Sequence, residues 1–171
     1  MILFSHFNSP DVAKRYELVD GQAVKKPAAT FKTGPYETAS VASMKELGGF
    51  IDKLKPGNFI TSGVNQTQPS GQCGLGMSDI HRTKQVFPFA LREPGVLIID
   101  SDGLLKLGIE TLQQYEVVIE QLIGKADYVT SPSASSGIYV NGAGGELKGI
   151  HTFCFIEDAS SIPDALLVLH K

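Results

Sequence analysis

The chain has no tryptophan, only two cysteines and a modest 19% of charged residues. With Cys73 and Cys154 alone and far apart in the sequence, neither a disulfide framework nor a zinc site made of cysteines is expected. A reducing cytoplasm is the compartment this fits. Long apolar runs are missing too: none approaches the roughly 20 residues that cross a bilayer, so no membrane association is expected. The segment Met1 to Glu17 lacks a basic start, a sustained apolar stretch and a small-residue cleavage site, which argues against a signal peptide. Internal repeats and low-complexity tracts are also absent. There is no excess of basic residues, and the net charge of −3 runs mildly against a nucleic-acid partner. The charge is unevenly spread, however. Lys25, Lys26 and Lys32 fall together, and His81, Arg82 and Lys84 follow later, so a local basic track is compatible with an acidic total.

What is present is enough for a core. At 171 residues with 42% hydrophobic content, the chain has the size and composition of one globular domain spanning 1–171. Residues 39–54 read as a helix, with Val41, Met44, Leu47, Phe50, Ile51 and Leu54 at spacings of three and four and Ser40 as a cap. Phe59 to Val64 reads as a strand, and the polar, glycine-bearing stretch Asn65 to Ser78 as a long loop. Val96 to Asp100 is an apolar run that suits a buried strand. Leu104 to Leu122 follows as an amphipathic helix stopped by Gly124. Asp127 to Ser131, Gly137 to Val140 and Leu147 to Ile156 read as strands, the last two joined as a hairpin through Asn141 to Gly145. A final helix runs from Asp164 to His170. The order implies an α+β or α/β domain around one sheet.

Three segments carry chemistry. In Ile98-Ile99-Asp100-Ser101-Asp102-Gly103, strand alternation places Asp100 and Asp102 on one side, and two like charges so close favour a cation between them. Mg²⁺ or Mn²⁺ suits such oxygen ligands and is commonly shared with phosphates. The same letters also describe a strand ending in a solvated turn. In Lys148-Gly149-Ile150-His151-Thr152-Phe153-Cys154-Phe155, alternation puts His151, Phe153 and Phe155 on one face. A histidine there is either a core residue or, with small Gly149 beside it, a phosphate contact. The stretch Thr130 to Gly137 is rich in hydroxyls and ends in glycine. It could donate to phosphate or sugar, or simply turn, and it lacks the Gly-Lys-Ser/Thr ending of the common phosphate loop.

Taken together, a hydrophobic strand ending in Asp-x-Asp, then helix, strand and a later small-x-His strand, resembles the archaeo-eukaryotic primase superfamily. Asp100 and Asp102 look like its first motif, and Gly149-Ile150-His151 like its second. Residues 95–169 also resemble the primase-polymerase domains of phage, plasmid and mobile-element replication proteins, through Ser-Ser-Gly-Ile-Tyr followed by Lys-Gly-Ile-His. The resemblance implies an N-terminal α/β unit packed on a sheet like that of an RNA-recognition domain, in an N-terminal fragment of a longer protein. It implies template-directed nucleotidyl transfer in DNA replication, with DNA template and primer and nucleoside triphosphates as partners and a downstream helicase domain as a further one. Asp100 and Asp102 would hold the metals and His151 the incoming triphosphate. Arg82, Lys84, Ser133, Ser135, Ser136 and Lys148 would be nucleotide or template contacts.

The family's third motif, a hydrophobic residue followed by an acid, matches Ile156-Glu157 only as letters. Glu157 lies six positions beyond His151, about 20 Å along one strand, and Asp158 and Asp164 belong to the next turn and helix. The third acid is therefore expected beyond Lys171, with little or no polymerisation by residues 1–171 alone and an exposed apolar patch or sheet edge near the C-terminal end. Two other readings compete. A replication-initiation nuclease would use a His-x-His pair, and the four histidines here are scattered. A non-catalytic nucleic-acid-binding module would display surface aromatics.

Overall fold

The computed structural model describes residues 1–9, 15–20, 22–26, 33–74, 82–133, 136, 139–140, 143–144 and 147–169. Lys32, His81, Ser135, Gly137 and Ile138 lie outside them, as do parts of the two loops named above. The fold is α+β. Eleven strands are described: β1 (Ile2–Asn8), β2 (Arg15–Val19), β3 (Gln22–Lys26), β4 (Gly34–Val41), β5 (Asn58–Thr61), β6 (Ser70–Cys73), β7 (Gly95–Asp102), β8 (Tyr128–Pro132), β9 (Tyr139–Val140), β10 (Ala143–Gly144) and β11 (Gly149–Ile156). The described helices are α1 (Met44–Ile51), α2 (Leu112–Ile123) and α3 (Ile162–Leu169). None is long and apolar enough to cross a membrane.

Seven strands make one sheet in the order β6-β4-β1-β7-β11-β8, with β5 also paired to β1. β4 takes one edge of β1 along Ile2 to Phe7. The other edge is shared. β7 joins it in parallel at Leu3–Gly95, while Ser5 to Asn8 pair Thr61 to Asn58 of β5. The sheet therefore forks, and past its start β7 keeps β11 on one side and no strand on the other among the described residues. From β7 onward, β11 runs antiparallel between β7 and β8. Because α2 connects β7 to β8, this half is a split β-α-β unit.

The two faces of the sheet are covered differently. On one, Met44 and Leu47 of α1 pack on Ile2, Phe4, Ile60, Val96 and Phe153. On the other, α2 and α3 cover Leu97, Cys154 and Ile150, with Ile119, Tyr115 and Ile162 as the buried contacts. Leu167 and Val168 of α3 remain exposed.

Several boundaries differ from the sequence expectation. The first helix begins at Met44, capped by Ser43 and closed by Glu46, whose carboxylate accepts from Ala42 N at 2.8 Å. Ala39 and Val41 instead pair with Phe4 and Ile2, so sheet formation overrides their helical spacing. The expected helix 104–122 is two pieces: a 3-10 turn at Leu104–Leu107, then α2. Gly108, at φ 73°, ends the turn, and Thr111 and Gln114 form a capping box that starts α2 afresh. The expected hairpin between 140 and 147 also fails. β9 pairs with β10 in a separate two-stranded sheet, and β11 pairs with β7 and β8.

Candidate functional site

β7 is a strand because Val96-Leu97-Ile98-Ile99 is β-branched or apolar at every position and is buried from both sides at its start. Its last residues, Asp100, Ser101 and Asp102, carry the same backbone beyond the cover of α1 into solvent. Gly103, at φ 72°, turns the chain away, a left-handed conformation that favours glycine.

The β7–β11 register sets His151 opposite Asp100 and Gly149 opposite Asp102. Directly paired residues project to the same face, so the two acids, the imidazole and the bare Gly149 backbone share one surface. His151 Nε2 is 3.3 Å from Asp100 Oδ1, with the two side chains 35% and 63% exposed. Gly149 is buried, and a Cβ there would meet Asp102 Oδ1 at 2.5 Å and Ser133 Oγ at 3.2 Å. The Asp102 carboxylate thus lies against Gly149 in space that only a missing side chain leaves. Ser131 pairs with His151 from β8, extending the same row. His151 therefore stands beside Asp100 at the open end of the ladder.

Ser133 and Ser136 of the hydroxyl-rich stretch meet this row from the side, already engaged. Ser136 Oγ donates to Gly149 O at 2.9 Å and accepts from the amides of Lys148 at 3.0 Å and Gly149 at 3.2 Å. Ser133 is buried, and its Oγ lies 3.3 Å from Ser136 Oγ. These two serines hold the loop to the start of β11. Lys148 is exposed beside Gly149, and its carbonyl accepts from Gly103 N at 3.1 Å, tying the ends of β7 and β11 together.

Arg82 and Lys84 are not brought to the acids. The Arg82 guanidinium sits 5.5 Å from the Phe59 ring centroid and 6.0 Å from that of Phe7. Both rings belong to the aromatic cluster with Tyr36 and Phe87 on the opposite face. Lys84 lines a cavity of about 220 Å³ with Phe87, Pro88, Phe89 and Ser160. Ser160 follows β11 past Ile156, which pairs with Gly95 at the far end of the ladder from Asp102. Seven residue steps separate Gly95 from Asp102, about 23 Å.

The remaining acids of the last segment have other work. Glu157 is exposed at that far end. Asp158 Oδ1 accepts from Ser160 Oγ at 2.7 Å, Ser160 N at 2.9 Å and Arg92 N at 3.0 Å. Those bonds, the Ser160 hydroxyl first, hold its carboxyl below the usual range. Asp164 stands in the first turn of α3. Among the described residues no three His, Cys, Asp or Glu side chains gather as a metal-binding group. Asp100 and Asp102 nonetheless offer hard oxygen donors on one open surface. Carboxylate oxygens are the donor type that Mg²⁺ or Mn²⁺ takes.

Tyr115 falls within the amphipathic helix expected over 104–122. Its hydroxyl instead reaches the back of the site, 3.0 Å from Ser101 Oγ and 2.7 Å from Thr152 Oγ1. The one legible signal was a phenol among Leu and Ile in that stripe. No family model, curated protein or solved structure matches the chain.

Proposed function

We propose that this chain carries the catalytic centre of a primase-polymerase of the archaeo-eukaryotic primase type, joining nucleotides on a DNA template. One observation supports the reading above others: residues far apart in the sequence, an Asp-x-Asp and a small-x-His, face each other across a single antiparallel ladder. Asp100 and Asp102 would hold Mg²⁺ or Mn²⁺. A divalent ion bound there would supply charge neutralisation for the triphosphate in a reaction in which a 3′-hydroxyl displaces pyrophosphate from the α-phosphorus. The protein's own groups then have separate duties. His151 donates an N–H to a phosphate oxygen, and Gly149 leaves room for the Asp102 carboxylate. Lys148 adds a positive charge at the rim of the same surface.

The test is binding of a nucleoside triphosphate in the presence and absence of Mn²⁺, followed by electron paramagnetic resonance of free Mn²⁺. Binding should require the metal and disappear in Asp100→Ala and in Asp102→Ala while the circular dichroism spectrum is unchanged. Nucleotide binding that ignores Mn²⁺ and survives both substitutions would sink the proposal. Metal-independent capture of single-stranded DNA under those conditions would point to a binding module, and metal-dependent cleavage of DNA to a nuclease.

A further inference from the structure

Behind the two acids, on the face covered by α2, three hydroxyl groups meet. Tyr115 is 3% exposed and lies among Leu104, Ile109, Ile119 and Ile150. Its oxygen touches Ser101 Oγ and Thr152 Oγ1 at 3.0 and 2.7 Å. Ser101 is the residue between Asp100 and Asp102, and Thr152 is the residue after His151. Alternation turns both hydroxyls away from the site while their neighbours face it. Ser101 pairs with Ile150 and Thr152 with Ile99, so the phenol bridges the ladder on the diagonal.

An apolar cluster gains nothing from a phenol unless that oxygen has a specific partner, since unpaired buried polar groups are costly. Here the phenol is paired with both hydroxyls, and such a network holds its members in one arrangement. The place matters because the sheet forks beside β7. Past Gly95, the strand bearing Asp100 and Asp102 has a paired strand, β11, on one side only among the described residues. A rotation of that strand about its own axis would swing both carboxylates, and the Ser101–Tyr115–Thr152 bridge resists that rotation.

We propose that Tyr115 is a positioning residue. By gripping Ser101 and Thr152 from behind, it sets the direction in which Asp100, Asp102 and His151 project, and so the affinity of the site for metal and phosphate. The proposal rests on the nucleotidyl-transfer reading of that site. Tyr115→Phe removes one oxygen and keeps the ring. Partners that orient metal ligands typically change metal affinity tenfold or more, so Mn²⁺ affinity should fall on the order of tenfold in this variant. Amide hydrogen exchange should quicken at residues 100–102 and 149–152 and stay unchanged at 96–98 and 153–155 of the same ladder. Asp100→Ala, measured alongside, reports on the site itself.

Unchanged Mn²⁺ binding in Tyr115→Phe, with binding lost in Asp100→Ala, overturns the positioning role and leaves the site standing. Faster exchange along the whole ladder also overturns it, because the bridge would then be general support. No Mn²⁺ binding by the unaltered chain, or unchanged binding in Asp100→Ala, overturns the site and the positioning role together. Should Tyr115→Phe fail to fold, Ser101→Ala removes one arm of the bridge and is read against the same outcomes.

Discussion

His151 Nε2 stands 3.3 Å from Asp100 Oδ1 across the β7–β11 ladder. The contact is open to solvent, where such pairs contribute little to stability and are readily exchanged for another partner. On the proposed function, a triphosphate would take the imidazole while a cation takes the carboxylate. His151→Ala should weaken Mn²⁺-dependent nucleotide binding about tenfold or more, the worth of one hydrogen bond to a charged group. Binding of Mn²⁺ alone should be little changed. Isothermal titration with and without nucleotide separates the two, and an equal loss in both would argue against a phosphate contact.

Gly149→Ala tests the space beside Asp102. The backbone of Gly149 is outside the left-handed region, so alanine is not strained there by conformation. The new Cβ would meet Asp102 Oδ1 at 2.5 Å and Ser101 O at 3.1 Å. The carboxylate is the mobile end of a side chain and can rotate away, so the cost falls on its position more than on the fold. Mn²⁺ affinity should drop on the order of tenfold, with a melting temperature lowered by no more than about 2–4 °C. A large drop in melting temperature with metal affinity intact would show that the close fit is structural.

Cys154 offers a pH test. Burial against the α3 face pushes its thiol up from 9.0 to about 11. At pH 8 its reactive thiolate is about a hundredfold scarcer than in an ordinary thiol, so alkylation of the folded chain should be slower in that proportion than in urea. The fold favours the neutral form, so the stability linked to this group is intact below pH 9.0 and is lost as pH rises through about 11. Urea midpoints at pH 8 and pH 10.5, compared with Cys154→Ala, should show a larger decline for the native residue. Rapid alkylation at pH 8 in the folded state would contradict the burial.

The start of α2 should depend on its capping box. Thr111 Oγ1 accepts from Gln114 N at 3.2 Å, and Gln114 Oε1 accepts from Thr111 N at 3.0 Å. Thr111→Ala should cost about 1 kcal/mol and lower the melting temperature by about 2–4 °C. An unchanged melting temperature would mean that packing of Tyr115 and Ile119 alone holds the helix.

Some of this molecule follows from the order of its residues. Apolar runs made Val96 to Asp100 and Leu147 to Ile156 legible as strands, and the alternation of two put Asp100 with Asp102, and His151 with Phe153, on common faces. Those are local rules, satisfied by the backbone whatever surrounds it. The expected helix at 39–54 shows where they stop. Ala39 and Val41 lie in the stretch read as a helix, yet β1 offers their backbone a ladder of hydrogen bonds, and the ladder prevails. Thr111 broke another expected helix because a cap satisfies orphan amides that periodicity does not count.

The register between β7 and β11 was beyond the sequence. A slip of one residue along that ladder would turn His151 away from the acids, and only packing on both faces of the sheet selects the pairing seen. The same holds for Tyr115, whose position in α2 reads as apolar until α2 lies on the back of β7 and β11. Chain order determined which chemical groups exist and which way each strand points them. Tertiary packing decided which strands became neighbours, because pairing depends on burying two faces at once and no single segment carries that information.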